Sequence, residues 1–281
     1  MKVIKTIKEL REILKEARKN KTIGLVPTMG ALHLGHASLI KNSTKENDFT
    51  VVSIFVNPTQ FGPNEDYNKY PRTLEADSKI CEELDVDVIF SPSPDEMYAD
   101  QNESTFVCPA YSDINKLCGK SRPGHFDGVA TVVSKLFNIV KPDRAYFGEK
   151  DAQQLFIIKK MVRDLNFDIE IVPCPIIREK DGLALSSRNT YLNQENRKRA
   201  LKLSKALFTI KEMSQKGIKN AEQLVDTALS ILENEDVEYF EILDLNKFEK
   251  IDTISNESIA LCAVKFPQEN GTVRLIDNIK L

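Results

Sequence analysis

The chain is predicted to be α/β: a Rossmann-like, doubly wound parallel sheet followed by a smaller C-terminal α+β domain. Three observations predict this. Strand-length apolar runs alternate with helix-length amphipathic segments through residue 172, the signature of βαβ units. Beyond that point two helical patterns come first and three strand-like runs follow, which suits a separate α+β unit. Gly- and Pro-punctuated polar loops fall directly after several of the early strands, where open parallel sheets bind ligands.

Ile4, Ile7, Leu10, Ile13 and Leu14 recur at helical spacing and predict a helix over about 6–19. Residues 22–27 form an apolar run of a buried strand, broken by Pro27, Thr28 and Gly30, and a helix opens at Gly35. Val51-Val-Ser-Ile-Phe-Val56 is the next strand, and 57–72 a long polar loop, a length usually functional or disordered. A helix over 73–84 leads to the strand Asp87–Phe90, then to a Pro-broken stretch. Residues 128–140 place Val129, Val132, Val133, Leu136, Phe137 and Val140 on one helical face. Strand 144–147, helix 152–165 and strand 168–172 complete the alternation. Helices over 201–213 and 221–232 and strands at 239–243, 259–264 and 273–276 make up the rest. Pro173 and Pro175 place the boundary near residue 176, giving domains 1–176 and 177–281.

At 281 residues, 41% apolar and 29% charged, the chain can bury two cores. A net charge of -3 gives no general case for nucleic acid or an anionic membrane. No apolar run has transmembrane length, and Met1-Lys-Val-Ile-Lys does not open a signal peptide. Five cysteines, an odd number with no Cys-x-x-Cys, indicate neither a disulfide framework nor a zinc site. The expected location is the cytoplasm.

Two of the three histidines lie in His33-Leu-Gly35-His36, at a strand-to-helix junction. There, backbone N–H groups and a helix N-terminus attract anions. Gly35 lets a phosphate approach closely, and two imidazoles can stabilise charge on an α-phosphate as it becomes five-coordinate. The alternative is a histidine pair that merely caps a helix. Gly148-Glu-Lys150-Asp151 follows another strand: Lys150 suits a phosphate, Asp151 a ribose hydroxyl, and Gln154 the same crevice. It also reads as a solvated first turn. Ser186-Ser187-Arg188 suits a phosphate clamp or a turn before a helix. Arg122-Pro-Gly-His125 is a donor-rich loop or a basic surface loop, and Asn57-Pro-Thr-Gln60 a ligand loop or a turn. There is neither a P-loop nor a Gly-x-Gly-x-x-Gly, so His-x-Gly-His would hold the nucleotide.

These segments together resemble one family. Pro27-Thr-Met-Gly-Ala-Leu-His33-Leu-Gly-His36, Phe55-Val-Asn57-Pro-Thr-Gln60-Phe and Tyr70-Pro-Arg72-Thr come first. Arg122-Pro-Gly-His125-Phe-Asp-Gly-Val, Gly148-Glu-Lys-Asp151, Leu185-Ser-Ser-Arg188-Asn and Arg274-Leu-Ile-Asp-Asn278 follow in the same order. Across nearly its whole length the chain resembles the pantoate–β-alanine ligases of the HIGH-motif nucleotidyltransferase superfamily. The resemblance implies a two-step reaction, in which pantoate attacks the α-phosphate of ATP and β-alanine then attacks the acyl adenylate. It implies His36, His33, Lys150 and Arg188 as catalytic. It implies an ATP site of Met29, Gly30, Ala31, Leu32, His33, Leu34, Gly35, His36, Gly148, Glu149, Lys150, Asp151, Ile177, Leu185, Ser186, Ser187 and Arg188. Gln60, Gln154, Asn57, Arg122 and His125 are implied to bind the substrates, and Asp77 to help hold Mg2+. A homodimer without nucleic-acid or membrane partners is also implied, with the second domain closing over the site.

One departure is visible. Before Arg274 the family has a short Arg-x-Gly-x-Thr-like link, where this chain has the longer stretch 265–273. Two other readings compete. A related adenylyltransferase or an aminoacyl-tRNA synthetase would share the motif. The 16 Lys+Arg against 17 Asp+Glu from residue 177 onward give no tRNA-binding surface, and an adenylyltransferase leaves Gln60 and Gln154 unexplained. A non-catalytic nucleotide-binding regulator would have little use for both histidines, Lys150 and Arg188.

Overall fold

The computed structural model describes residues 1–63, 65–100, 104–268 and 271–281. They form two compact units, one of Met1–Glu149 with Gln154–Pro175 and one of Lys150–Gln153 with Ile176–Leu281.

The first unit is built on a six-stranded parallel sheet. Its strands are β1 (Lys2–Ile4), β2 (Ile23–Thr28), β3 (Phe49–Ile54), β4 (Val88–Phe90), β5 (Arg144–Gly148) and β6 (Glu170–Cys174), in the order β1-β4-β3-β2-β5-β6. The chain moves outward from β2 to β3 and β4, then returns to lay β5 on the other side of β2. The switch point of this doubly wound sheet therefore lies between the carboxyl ends of β2 and β5. Helices α1 (Ile7–Ala17), α2 (Leu34–Glu46), α3 (Leu74–Glu83), α4 (Pro94–Met97), α5 (Tyr111–Ile114), α6 (Leu117–Ser121), α7 (His125–Val140) and α8 (Ala152–Asp164) belong to these crossovers. Strands β2 and β3 are almost wholly buried, as continuous apolar runs require in a sheet covered on both faces. Val26, Ile40, Val52, Cys81, Ile89 and Tyr146 share one core beneath the β2 loop.

The second unit packs α9 (Gln194–Gln215) and α10 (Ala221–Ile231) on an antiparallel sheet of β7 (Asp236–Asp244), β8 (Ser258–Gln268) and β9 (Gly271–Lys280). Leu203, Leu207 and Ile210 of α9 meet Leu224 of α10 and Ala260, Cys262, Val264 and Phe266 of β8 in one core.

The α/β class and the sheet-plus-helices second unit are as predicted; several boundaries differ. β1 and the short helices α4 to α6 are additions, too brief to carry a periodicity. Helix α7 begins at His125 and α9 at Gln194, because Asn193 caps α9 by accepting from the Asn196 N–H at 2.8 Å. Pro173 lies inside β6 opposite Phe147; β6 is an edge strand, where a missing N–H costs no ladder bond. The described residues of the longer stretch 265–273 are paired strand ends. They are the end of β8 and the start of β9, paired from Lys265↔Arg274 to Gln268↔Gly271. Residues 269 and 270 of that stretch, and residue 64 of the expected 57–72 loop, lie outside the described residues.

Candidate active site

The loop after β2 carries the histidine motif in a strained turn. Gly30 has φ +85° and Ala31 φ +49°, consecutive left-handed residues of which the second is not glycine. Such a residue costs roughly 1–2 kcal/mol and persists where its surroundings enforce it. Asp77 of α3 does so. Its side chain is 1% exposed. Oδ2 accepts from the Ala31 N–H at 3.0 Å and Oδ1 from the Leu32 N–H at 2.8 Å. The Thr73 hydroxyl donates to both oxygens at 3.2 Å. A Cβ on Gly30 would lie 3.0 Å from Asp77 Oδ2, so the glycine also admits the carboxylate. Asp77 is therefore an anchor of this loop. Its oxygens face N–H and O–H donors, which does not fit the metal-ligand role expected of it. Among the described residues no group of three His, Cys, Asp or Glu side chains could hold a metal ion.

The turn delivers His33 as the N-cap of α2. His33 Nδ1 accepts from the Gly35 N–H at 3.1 Å, and His36 Nδ1 accepts from the His33 N–H at 3.4 Å. A ring nitrogen that accepts a backbone N–H carries no proton, so the proton of each neutral imidazole sits on Nε2. The two ring centroids are 4.1 Å apart. The motif thus presents paired Nε2–H donors at a helix N-terminus, beside the switch point. The capping reading and the ligand reading are compatible here, since each ring caps with Nδ1. Leu34, between them, is 71% exposed.

β3 leads to a 3-10 turn, Pro58–Gln60. Asn57 and Gln60 are buried, Gln60 Oε1 accepting from Asn57 Nδ2 at 3.1 Å while Gln60 Nε2 donates to Met29 Sδ at 3.3 Å. Gln60 thereby faces the β2 loop. Gly128 of α7 lets this turn approach: a Cβ there would stand 2.4 Å from the Thr59 carbonyl oxygen and 2.6 Å from the Gln60 nitrogen. His125 Nδ1 lies 2.8 Å from the Gln60 carbonyl, which can only accept. His125 therefore carries its proton on Nδ1, and its Nε2 accepts from Arg122 Nη1 at 3.0 Å. Arg122 in turn makes a two-pronged ion pair with Glu65, at 2.7 Å and 2.6 Å. Burial raises the Glu65 carboxyl, but the Arg122 hydrogen bonds and charge prevail and hold it below its usual value. Arg122 and His125, expected at the substrate, thus turn these atoms to protein partners and hold the Gln60 backbone.

β5 ends at Gly148 on the same edge of the sheet as β2 and β3, and a 3-10 turn, Glu149–Asp151, follows. Gln154, half-buried, is in the first turn of α8.

In the second unit, Lys150 Nζ lies 4.0 Å from Asp151 Oδ2, and the Lys150 carbonyl accepts from Asn278 Nδ2 at 2.9 Å. Arg178 makes a bidentate pair with the buried Asp277, at 2.7 Å and 2.9 Å. Burial pushes the Asp277 carboxyl up even so. The Ile177 carbonyl accepts from the Leu185 N–H at 2.9 Å, closing the loop that carries Ser186, Ser187 and Arg188. Ser186 caps the next turn by accepting from the Arg188 N–H at 3.2 Å. Asp277 and Asn278 belong to the Arg274–Asn278 segment, to which the resemblance attaches no role; these contacts supply one. Glu65 and Asp277 carry no local signal in the sequence, because their partners lie far off along the chain.

A family model described as pantoate–β-alanine ligase matches residues 2–280. The chain is 52% identical to the pantothenate synthetase of Caldicellulosiruptor saccharolyticus, over 99% of both chains. It is 54% identical to that of Ruminiclostridium cellulolyticum, over 99% of this chain and 98% of the relative. The crystal structure of pantothenate synthetase from Thermus thermophilus superposes with a TM-score of 0.93 at 42% identity, covering 100% of this chain and 99% of that one. The pantoate–β-alanine ligase of Francisella tularensis, complexed with β-γ ATP and β-alanine, gives 0.81 at 40% identity, covering 100% and 97%.

Proposed function

This chain belongs to the pantoate–β-alanine ligase family, and from that premise we propose how its residues carry out the reaction. It is an ATP-using ligase that joins pantoate to β-alanine. In the proposed route a pantoate carboxylate oxygen attacks the α-phosphorus of ATP. A new P–O bond forms, the bond to the bridging oxygen breaks, and pyrophosphate leaves. The β-alanine nitrogen then attacks the acyl carbon of pantoyl adenylate and gives up a proton to the surrounding water, the carbon–oxygen bond breaks, and AMP leaves with pantothenate.

The observation that carries this reading is the pair of Nε2–H donors that His33 and His36 present at the α2 N-terminus. Donors fixed before the reaction stabilise charge on the α-phosphate as it becomes five-coordinate, without reorganisation. Met29, Gly30, Ala31, Leu32, Leu34 and Gly35 line the nucleotide, with Gly148, Glu149 and Asp151 toward the ribose. Lys150 meets the phosphates as a point charge. Ile177, Leu185, Ser186, Ser187 and Arg188 are the second unit's proposed contribution to ATP. Gln60 and Gln154 hold pantoate, Gln60 also serving β-alanine. Asn57, Arg122 and His125 support Gln60. ATP enters as its magnesium complex, the metal carried by the phosphates and not by Asp77.

No helix among the described residues is long and apolar enough to cross a membrane. Among the described residues no disulfide joins any of the five cysteines. The family resemblance supports a cytoplasmic homodimer. Mass spectrometry after incubation with ATP, magnesium, pantoate and β-alanine tests the reading. Pantothenate, AMP and pyrophosphate are expected in equal amounts; ADP with phosphate, or a nucleotidylated product, contradicts it.

A further inference from the structure

Gln60 ends a hydrogen-bond chain whose polarity is set deep in the protein. The chain starts at the Gly128 carbonyl of α7, which can only accept. Asn57 Nδ2 donates to it at 3.1 Å, so the Asn57 amide has its nitrogen on that side. The same nitrogen donates to Gln60 Oε1 at 3.1 Å. Gln60 therefore has its oxygen turned inward and its N–H2 turned toward Met29. A thioether is a weak acceptor, which an anionic oxygen displaces readily. On the far side, Asn57 Oδ1 accepts from the Tyr98 hydroxyl at 2.8 Å and from the Thr59 hydroxyl at 3.1 Å. Tyr98 is 2% exposed. Its hydroxyl and that of Thr59 are 3.3 Å apart, so both converge on one amide oxygen.

We propose that Tyr98, together with Thr59, is a positioning pair that locks the Asn57 amide, so that Gln60 offers N–H donors and not a carbonyl to the carboxylic acid substrate. The inference rests on the reading that Gln60 binds pantoate. Neither hydroxyl touches substrate; both act through Asn57. With one hydroxyl removed, the other still satisfies Asn57 Oδ1. With both removed, that oxygen is buried without a donor, and the amide is held only from its nitrogen side, by the Gly128 carbonyl.

Pantoate KM and kcat, with thermal melts, are measured for Tyr98→Phe, Thr59→Val, the double variant, Asn57→Ala and Tyr98→Phe/Asn57→Ala, with Gln60→Ala as the control. Each single hydroxyl variant is expected within about threefold of the wild-type KM, and the double roughly tenfold or more above it, beyond the product of the singles. kcat at saturating pantoate should change less than KM. In the Asn57→Ala background, Tyr98→Phe should leave KM unchanged, since its intermediary is gone; this comparison holds even where the double hydroxyl variant does not fold. A double variant with lowered melting temperature and wild-type KM would make the pair merely structural. So would a Tyr98→Phe effect on KM that persists without Asn57. If Gln60→Ala leaves pantoate KM unchanged, the binding reading itself fails and takes the proposal with it.

Discussion

A histidine that caps a helix and a histidine that binds a phosphate make different demands, and His33 and His36, which cap with Nδ1, are proposed to meet both by dividing their nitrogens. His36→Ala is expected to lose about 10²- to 10³-fold in single-turnover adenylate formation, the scale for one donor to a developing oxyanion. Its melting temperature should fall only by what one cap contributes, ~1 kcal/mol. A near-normal rate in single-turnover quench experiments would make the motif structural. Asp77 gives the opposite case. Asn at 77 would turn an N–H2 toward the backbone N–H of Ala31 or Leu32, costing about 1–3 kcal/mol of stability and slowing adenylation. The magnesium concentration for half-maximal rate should not move; a large increase would restore the metal role. The histidines were legible in the sequence because glycines and a strand end surround them. The role of Asp77 was not, because it depends on the left-handed φ of Ala31, which alanine does not advertise.

At the scale of elements, the turn after β3 is held by α7, whose His125 is backed by Arg122 and Glu65. Glu65 has its carboxyl depressed below the usual 4.5. Such a group contributes stability above its unfolded pKa and loses it as pH falls through the folded value. Urea unfolding of wild type and Glu65→Gln should therefore differ most near neutral pH and converge as the pH falls through and below the ordinary carboxylate range. A gap that stays constant down to pH 3 would rule out this ion pair as its source. The alternation of strands and helices was legible because β2, β3 and β5 are buried as apolar runs. The edges were not. β6 accepts Pro173 only because nothing pairs with its outer side. The strands β8 and β9 were legible at their apolar middles, but not their paired ends, which are polar and partly exposed and leave no continuous apolar run to read.

At the scale of the whole molecule, the residues proposed for ATP include Arg188 of the second unit. Arg188, held in the second unit by the Ser186 cap, is proposed to act on the phosphates in the transition state. Arg188→Ala should then lower kcat at least tenfold more than it weakens ATP binding by calorimetry. Equal losses in both would make it a ground-state contact. The central claim is that an acyl adenylate forms before the amine enters. Exchange of labelled pyrophosphate into ATP tests it most directly. The account predicts exchange that requires pantoate and magnesium and proceeds without β-alanine, and that His36→Ala suppresses. Exchange that depends absolutely on β-alanine would contradict it.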